Sequence, residues 1–222
     1  MSEPPARGFL SRPPRRRLIA LAGAGAILVA AACLYRRAQR PREVSSATAR
    51  DGLALAAAVL DSVEASEFGK TERGRALSSA ARGMMARGAL RFSAELGTEG
   101  LCRRERGAAP VLYIGVYRGP RGFVLPSRGE MAERIYHETL HGLKDSKRKS
   151  LEEECDAFCA AAQACAAVEG RTVSYPVTRG GRNLWEWVRS AYPDAKGDPL
   201  YRPVGIGREE LVRMAGIPTG ER

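Results

Sequence analysis

The sequence predicts an α+β chain: an N-terminal transmembrane helix, then one small domain in which a β-hairpin precedes an antiparallel pair of helices. Three observations predict it. Residues 18–35 carry no charge and are flanked by arginines on both sides. Residues 111–125 hold two β-rich runs around the turn sequence Arg118-Gly119-Pro120-Arg121-Gly122. Two helix-start signatures, Ser127-Arg128-Gly129-Glu130 and Ser150-Leu151-Glu152-Glu153, stand on either side of the polar run 145–149.

The chain of 222 residues suits one domain with its own core plus appendages. Its net charge of +11 would suit a nucleic-acid binder, but the distribution argues otherwise. Residues 1–43 hold nine Arg against two Glu, while residues 44–222 hold 27 basic against 23 acidic residues. The excess is concentrated at the flanks of the apolar stretch, and the rest has an ordinary mixed surface, so no nucleic-acid partner is expected.

Residues 1–17 are rich in Pro and Arg and are expected to be disordered. The uncharged span 18–35 would be about 27 Å long as a helix, enough to cross a hydrocarbon core. Arginines at both ends fit lipid headgroups, and the triplet Arg15-Arg16-Arg17 tilts the orientation toward a cytoplasmic N-terminus. The expectation is a single-pass membrane protein with an extracytoplasmic domain over 47–222, joined by a linker at 36–46. Four cysteines in that domain, Cys102, Cys155, Cys159 and Cys165, are compatible with either bridges or buried thiols.

Within the domain, Leu53, Ala56, Val59, Leu60 and Val63 recur at helical spacing and predict a helix over 47–66. Gly69 to Gly74 is read as a break, followed by a helix over 75–85 and a short strand over 90–96. A strand over 111–117 and its return over 123–125 form the hairpin. Helices over 128–143 and 151–168 follow. The stretch 172–222 is read as an irregular tail holding short helices near 183–191 and 208–215.

The chain has two histidines, and both fall in His137-Glu138-Thr139-Leu140-His141. Residues four apart on a helix share a face, so both imidazoles can grip one ion. Zinc suits such ligands. Glu138 sits about 100° around the helix, beside the ion, where it can take a proton from a bound water. Met131, Ile135 and Leu140 give this helix an apolar back.

The next helix supplies the remaining ligand. Residues facing each other across an antiparallel hairpin keep a constant index sum. That rule sets Glu152 opposite His141 and Asp156 opposite His137. Glu152 completes a two-His, one-carboxylate site, and Asp156 orients His137 through its second ring nitrogen. Glu153 is the second choice for the ligand and Cys155 the third. Glu153 and Glu154, about 100° and 200° around from Glu152, are expected to point elsewhere.

HExxH followed by Glu-x-x-x-Asp on the next helix resembles the gluzincin zinc peptidases, the thermolysin-like arrangement. The resemblance covers residues 128–160. It implies a zincin-like domain that cleaves a peptide or protein substrate. It assigns zinc binding to His137, His141 and Glu152, the general base to Glu138, and support of a ligand to Asp156. In such peptidases a strand beside the HExxH helix binds extended substrate by edge pairing. An oxyanion donor is sought among Tyr113, Tyr117, Tyr175, Tyr201 and Arg182.

Overall fold

The computed structural model describes residues 41–104, 108–120, 122–144, 150–193 and 207–219. They form an α+β arrangement of seven helices and three small sheets. The first helix, α1 (Ser46–Ala65), opens on Ser45, whose side chain accepts from the Thr48 N–H. It buries Ala56, Val59, Leu60 and Val63, four of the residues whose spacing predicted it.

The stretch from Gly69 to Gly74 does not break the chain into a loop. Two successive caps carry it through a short helix α2 (Glu67–Lys70) into α3 (Glu72–Ala86). Ser66 Oγ accepts from the Gly69 N–H at 3.1 Å, and Thr71 Oγ1 accepts from the Gly74 N–H at 3.0 Å. A Cβ at Gly69 would stand 2.1 Å from the Val63 carbonyl oxygen, and one at Gly74 would stand 2.0 Å from that of Phe68. Both glycines are therefore there for close backbone approach and not as helix breakers.

Strands β1 (Leu90–Ser93), β2 (Gly100–Arg103) and β3 (Val111–Gly115) form one sheet in the order β1-β3-β2. β1 runs parallel to β3, with Leu90 beside Leu112, and β2 runs antiparallel to it, with Cys102 beside Leu112. β2 is thus an edge. The expected continuous strand over 111–117 divides at Val116: β4 (Tyr117–Gly119) leaves the sheet and pairs with β5 (Gly122–Val124) in a ribbon of its own. The hairpin exists, but it is this short ribbon.

Helices α4 (Arg128–Leu143) and α5 (Leu151–Val168) pack against each other along their length. The face of α5 toward the main core is Ala157, Ala160 and Ala164, and such small residues let the two helices approach closely. On α4, Met131, Ile135, Tyr136 and Leu140 join the residues of α1 together with Leu77, Phe92 and Ile114 in that core.

The stretch expected as an irregular tail forms an ordered layer. β6 (Thr178–Arg179) and β7 (Arg182–Asn183) make a hairpin, and α6 (Leu184–Ala191) and α7 (Arg208–Ala215) follow. Leu184, Val188, Leu211 and Met214 pack on Cys155 and Cys159 of α5 as a second core. Cys155, Cys159 and Cys165 are free thiols. Burial pushes the Cys159 thiol up to about 12 and raises Cys155 as well.

The expected transmembrane helix is corrected. Among the described residues no helix is long and apolar enough to cross a membrane. The longest, α1, has 20 residues but carries Arg50, Asp51, Asp61 and Glu64. Residues 18–35, on which the expectation rested, lie outside the described residues. The membrane anchor and the single-pass, extracytoplasmic location drawn from it are withdrawn.

Candidate metal centre

Helix α4 carries the HExxH string and is fixed at three points. Its start is a complete capping box: the Glu130 N–H donates to Ser127 Oγ at 3.3 Å, and the Ser127 N–H donates to Glu130 Oε2 at 2.8 Å. One turn later, buried Arg134 donates to the Gly115 carbonyl at 2.6 Å and to the Tyr117 hydroxyl at 2.7 Å. That hydroxyl donates in turn to Glu130. This hydrogen bond holds the Glu130 carboxyl below its ordinary pKa and raises that of Tyr117. The helix is thereby tied to the end of β3 just before His137.

The third point is Glu138. Its Oε2 accepts from the Cys102 N–H at 2.7 Å. Gly115 N–H donates to the Glu99 carbonyl at 2.9 Å. By the alternation of an antiparallel ladder, Leu101 and Arg103 then turn their backbone groups to β3, while Gly100 and Cys102 turn theirs to the open edge. Glu138 lies against that edge. A Cβ on Gly100 would stand 2.6 Å from Glu138 Cγ, so the glycine is what allows the carboxylate to lie there.

Three side chains converge on one point. His137 Nε2 and His141 Nε2 are 3.2 Å apart. Glu154 Oε2 is 3.6 Å from His137 Nε2, and its Oε1 is 3.5 Å from His141 Nε2. The donor atoms of the three lie within 4.8 Å of one another. Ligands about 2.0–2.1 Å from a tetrahedral zinc ion are separated from each other by about 3.3 Å. The spacing and the two-imidazole, one-carboxylate chemistry both fit that ion. Glu138 Oε1 stands just outside the triangle, 3.9 Å from His137 Nε2.

A further carboxylate orients the set. His141 Nδ1 and Glu153 Oε1 are 2.7 Å apart. With the proton on Nδ1, Nε2 presents its lone pair to the centre, the usual arrangement of carboxylate, imidazole and metal. Glu153 itself is placed by Ser150, whose Oγ accepts its N–H at 3.0 Å. On the opposite flank the Phe158 ring packs on the His137 ring, with centroids 4.5 Å apart. Glu138, Glu153 and Glu154 are 6%, 3% and 0% exposed, so these carboxylates are held out of bulk water.

His137, His141 and Glu138 therefore meet as the spacing predicts, and the second helix contributes differently. Glu152, the expected third ligand, lies outside the converging group, whose carboxylate is Glu154. The index-sum rule fails only in its anchor point. An ion shared by the two histidines would lie between them, level with residue 139, and the same index sum pairs that level with residue 154. Asp156, expected to orient His137, is buried in an ion pair with Arg73 of α3, which also donates to the Asp156 backbone carbonyl at 2.6 Å. Nothing in the chain's local pattern announces Arg73, because it lies 83 residues away.

The expected oxyanion donors are dispersed. Tyr117 is engaged by Glu130 and Arg134, and Tyr175 accepts from Gln163. Tyr113 sits within β3, Arg182 is exposed on β7, and Tyr201 lies outside the described residues.

No family model, curated protein or solved structure matches the chain. The likeness to zinc peptidases rests on the residues of α4 and α5 alone.

Proposed function

We propose that this chain is a zinc-dependent peptidase in which His137, His141 and Glu154 hold the ion and Glu138 is the general base. The convergence of those three donors, with Glu138 immediately outside their triangle, carries the reading. Bound zinc supplies a Lewis acid that activates water and polarises a peptide carbonyl. Glu138 accepts the proton of the attacking water and returns it to the leaving amine. The Cys102 N–H holds Oε2, so Oε1 is the oxygen turned toward the histidines. Glu153 keeps His141 in one tautomer. β2 is an edge strand beside the centre, and an extended peptide would pair along it beyond the point where Glu138 takes the Cys102 N–H.

Glu138→Gln tests the reading. It should keep zinc while hydrolysis of an unfolded protein such as casein falls roughly 10²- to 10⁴-fold. Near wild-type cleavage by the variant sinks the proposed mechanism.

One observation favours a second reading, a structural metal site. Glu138 is buried with the three donors and close enough to become a fourth, and closed four-ligand sites are the structural kind. In that case Glu138→Gln loses the metal and the wild type cleaves nothing.

A further inference from the structure

A cleft of about 320 Å³ lies beside the metal centre. Its apolar surface includes Phe158, Ala162, Val177 and Leu184, and its polar rim includes Glu133, Arg171 and Arg179. Phe158 is the shared wall, because the same ring packs on His137. Glu133 lies on α4 one turn before His137. The cleft therefore opens one aromatic ring away from the histidine that faces the ion.

Arg179 is held there with unusual care. Its guanidinium carbon lies 4.6 Å from the Phe158 centroid and 4.7 Å from that of Trp187. The two rings stand edge to face, 5.1 Å apart, with the guanidinium against both. Nη1 donates to Glu133 Oε1 at 2.8 Å. The backbone is fixed as well. Arg179 immediately precedes the hairpin turn Gly180-Gly181, where φ is +57° and +76°, a pair of values that glycine adopts without strain.

A guanidinium has five N–H donors, and the bond to Glu133 uses one of them. The side chain is 43% exposed, so a ligand can reach the others. Arg171 is paired with Glu169 and Arg179 with Glu133, so the rim is balanced in charge, and what Arg179 offers a ligand is its remaining N–H donors. A planar cation held by aromatic faces, with spare donors in a fixed planar fork, matches a carboxylate.

We propose that Arg179 binds a carboxylate of the peptide substrate in this cleft and so sets the specificity of the metal site. The inference rests on the peptidase reading for its substrate class. The carboxylate can come from an acidic side chain or from the peptide C-terminus, which present the same chemistry.

The test uses the full chain, zinc-loaded and carrying Glu138→Gln, so that bound peptides are not consumed. Three peptides of one sequence are titrated: Glu with an amidated end, Gln with an amidated end, and Gln with a free carboxylate. Binding is read by calorimetry and by tryptophan fluorescence, since Trp187 touches the recognising group. One or both carboxylate peptides should bind roughly ten- to a hundredfold more tightly than the neutral one. Which of them does so identifies the source. Adding Arg179→Gln should erase the preference and leave the affinity for the neutral peptide unchanged. If that variant fails to fold, Arg179→Lys replaces it and should weaken the preference, because an ammonium lacks the planar fork. Equal binding of all three peptides, binding of none, or a preference undiminished in the Arg179 variant overturns the inference. Casein hydrolysis by the wild type without any preference for a carboxylate would sink this inference alone. A preference without hydrolysis would sink the peptidase reading alone.

Discussion

Helix α5 has two sides made of opposite materials. Toward α6 and α7 it presents Cys155 and Cys159 to Leu184, Leu211 and Met214. Toward α4 and α3 it presents Glu153, Glu154 and Asp156, all at most 3% exposed. Both sides are equally dry. Burying the first is favourable in itself, at roughly 25 cal/mol per Å² of apolar surface. Burying a carboxylate costs several kcal/mol unless a cation or well-placed donors offset it. Arg73 does this for Asp156. For Glu154, between two imidazoles, the fitting cation is a metal ion. The apolar side therefore reads as stability and the acidic side as binding, and substitutions on each should move different observables.

The largest separation is expected for Glu154→Ala. Structural zinc sites bind with about 10–16 kcal/mol, so loss of one ligand in three should weaken affinity roughly 10²- to 10⁴-fold. Glu152→Ala, two residues away and outside the converging group, should titrate with zinc like the wild type. If Glu152→Ala is the more damaging change, the two sides of α5 have been drawn in the wrong register.

Leu184→Ala is the mirror experiment. Leu184 is fully buried in the second core, and such truncations cost about 2–5 kcal/mol. Urea unfolding should register that loss while zinc stoichiometry stays the same. A variant that loses zinc before it unfolds would show that the apolar layer shapes the site directly.

The main core was legible in the sequence because periodicity encodes it, whereas the layer that α6 and α7 form on α5 was read as an irregular tail with two short helices. The spacing of Leu53 to Val63, the back of α4 at Met131, Ile135 and Leu140, and the helices near 184–191 and 208–215 all declare themselves locally. HExxH was legible for the same reason, since two ligands on one helix need no tertiary information. The third ligand was not, because three consecutive glutamates leave the choice to the crossing of two helices. Glu153 carried two compatible local readings, a cap partner of Ser150 and a ligand, and the structure turns its carboxylate to His141 instead. β2 was missed because Gly100-Leu101-Cys102-Arg103 has little β-propensity and is held by pairing with β3.

Glu153→Ala gives a smaller effect on the acidic side. Orienting carboxylates behind a ligating histidine are worth about 10- to 100-fold in metal affinity or activity. Zinc titration of this variant should fall between wild type and Glu154→Ala. An affinity equal to wild type would mean that His141 is positioned without it.

The smallest effect concerns pH and the anchoring of α4. The Tyr117 hydroxyl holds the folded-state pKa of Glu130 below its ordinary value. The associated stability is fully present above the unfolded carboxylate pKa, about 4.3, and is lost as pH falls through the lowered folded value. Tyr117→Phe should flatten that acid limb in urea midpoints measured from pH 6 down to pH 3. A limb as steep as in the wild type would assign the acid sensitivity to other carboxylates.

His137 and Glu154 lie only seventeen positions apart along the chain, on two helices that adjoin in sequence. Closing so short a loop costs little chain entropy, and helical hairpins form quickly because their contacts are local. The β2–β3 pairing is local too, with Arg103 opposite Val111, while β1 reaches β3 across 22 positions, Leu90 beside Leu112. An ion with affinity for these three side chains can thus act during folding as well as after it, clipping α4 to α5 as soon as the two helices meet. Refolding in the presence of zinc would then hold the helical hairpin together from its first encounter.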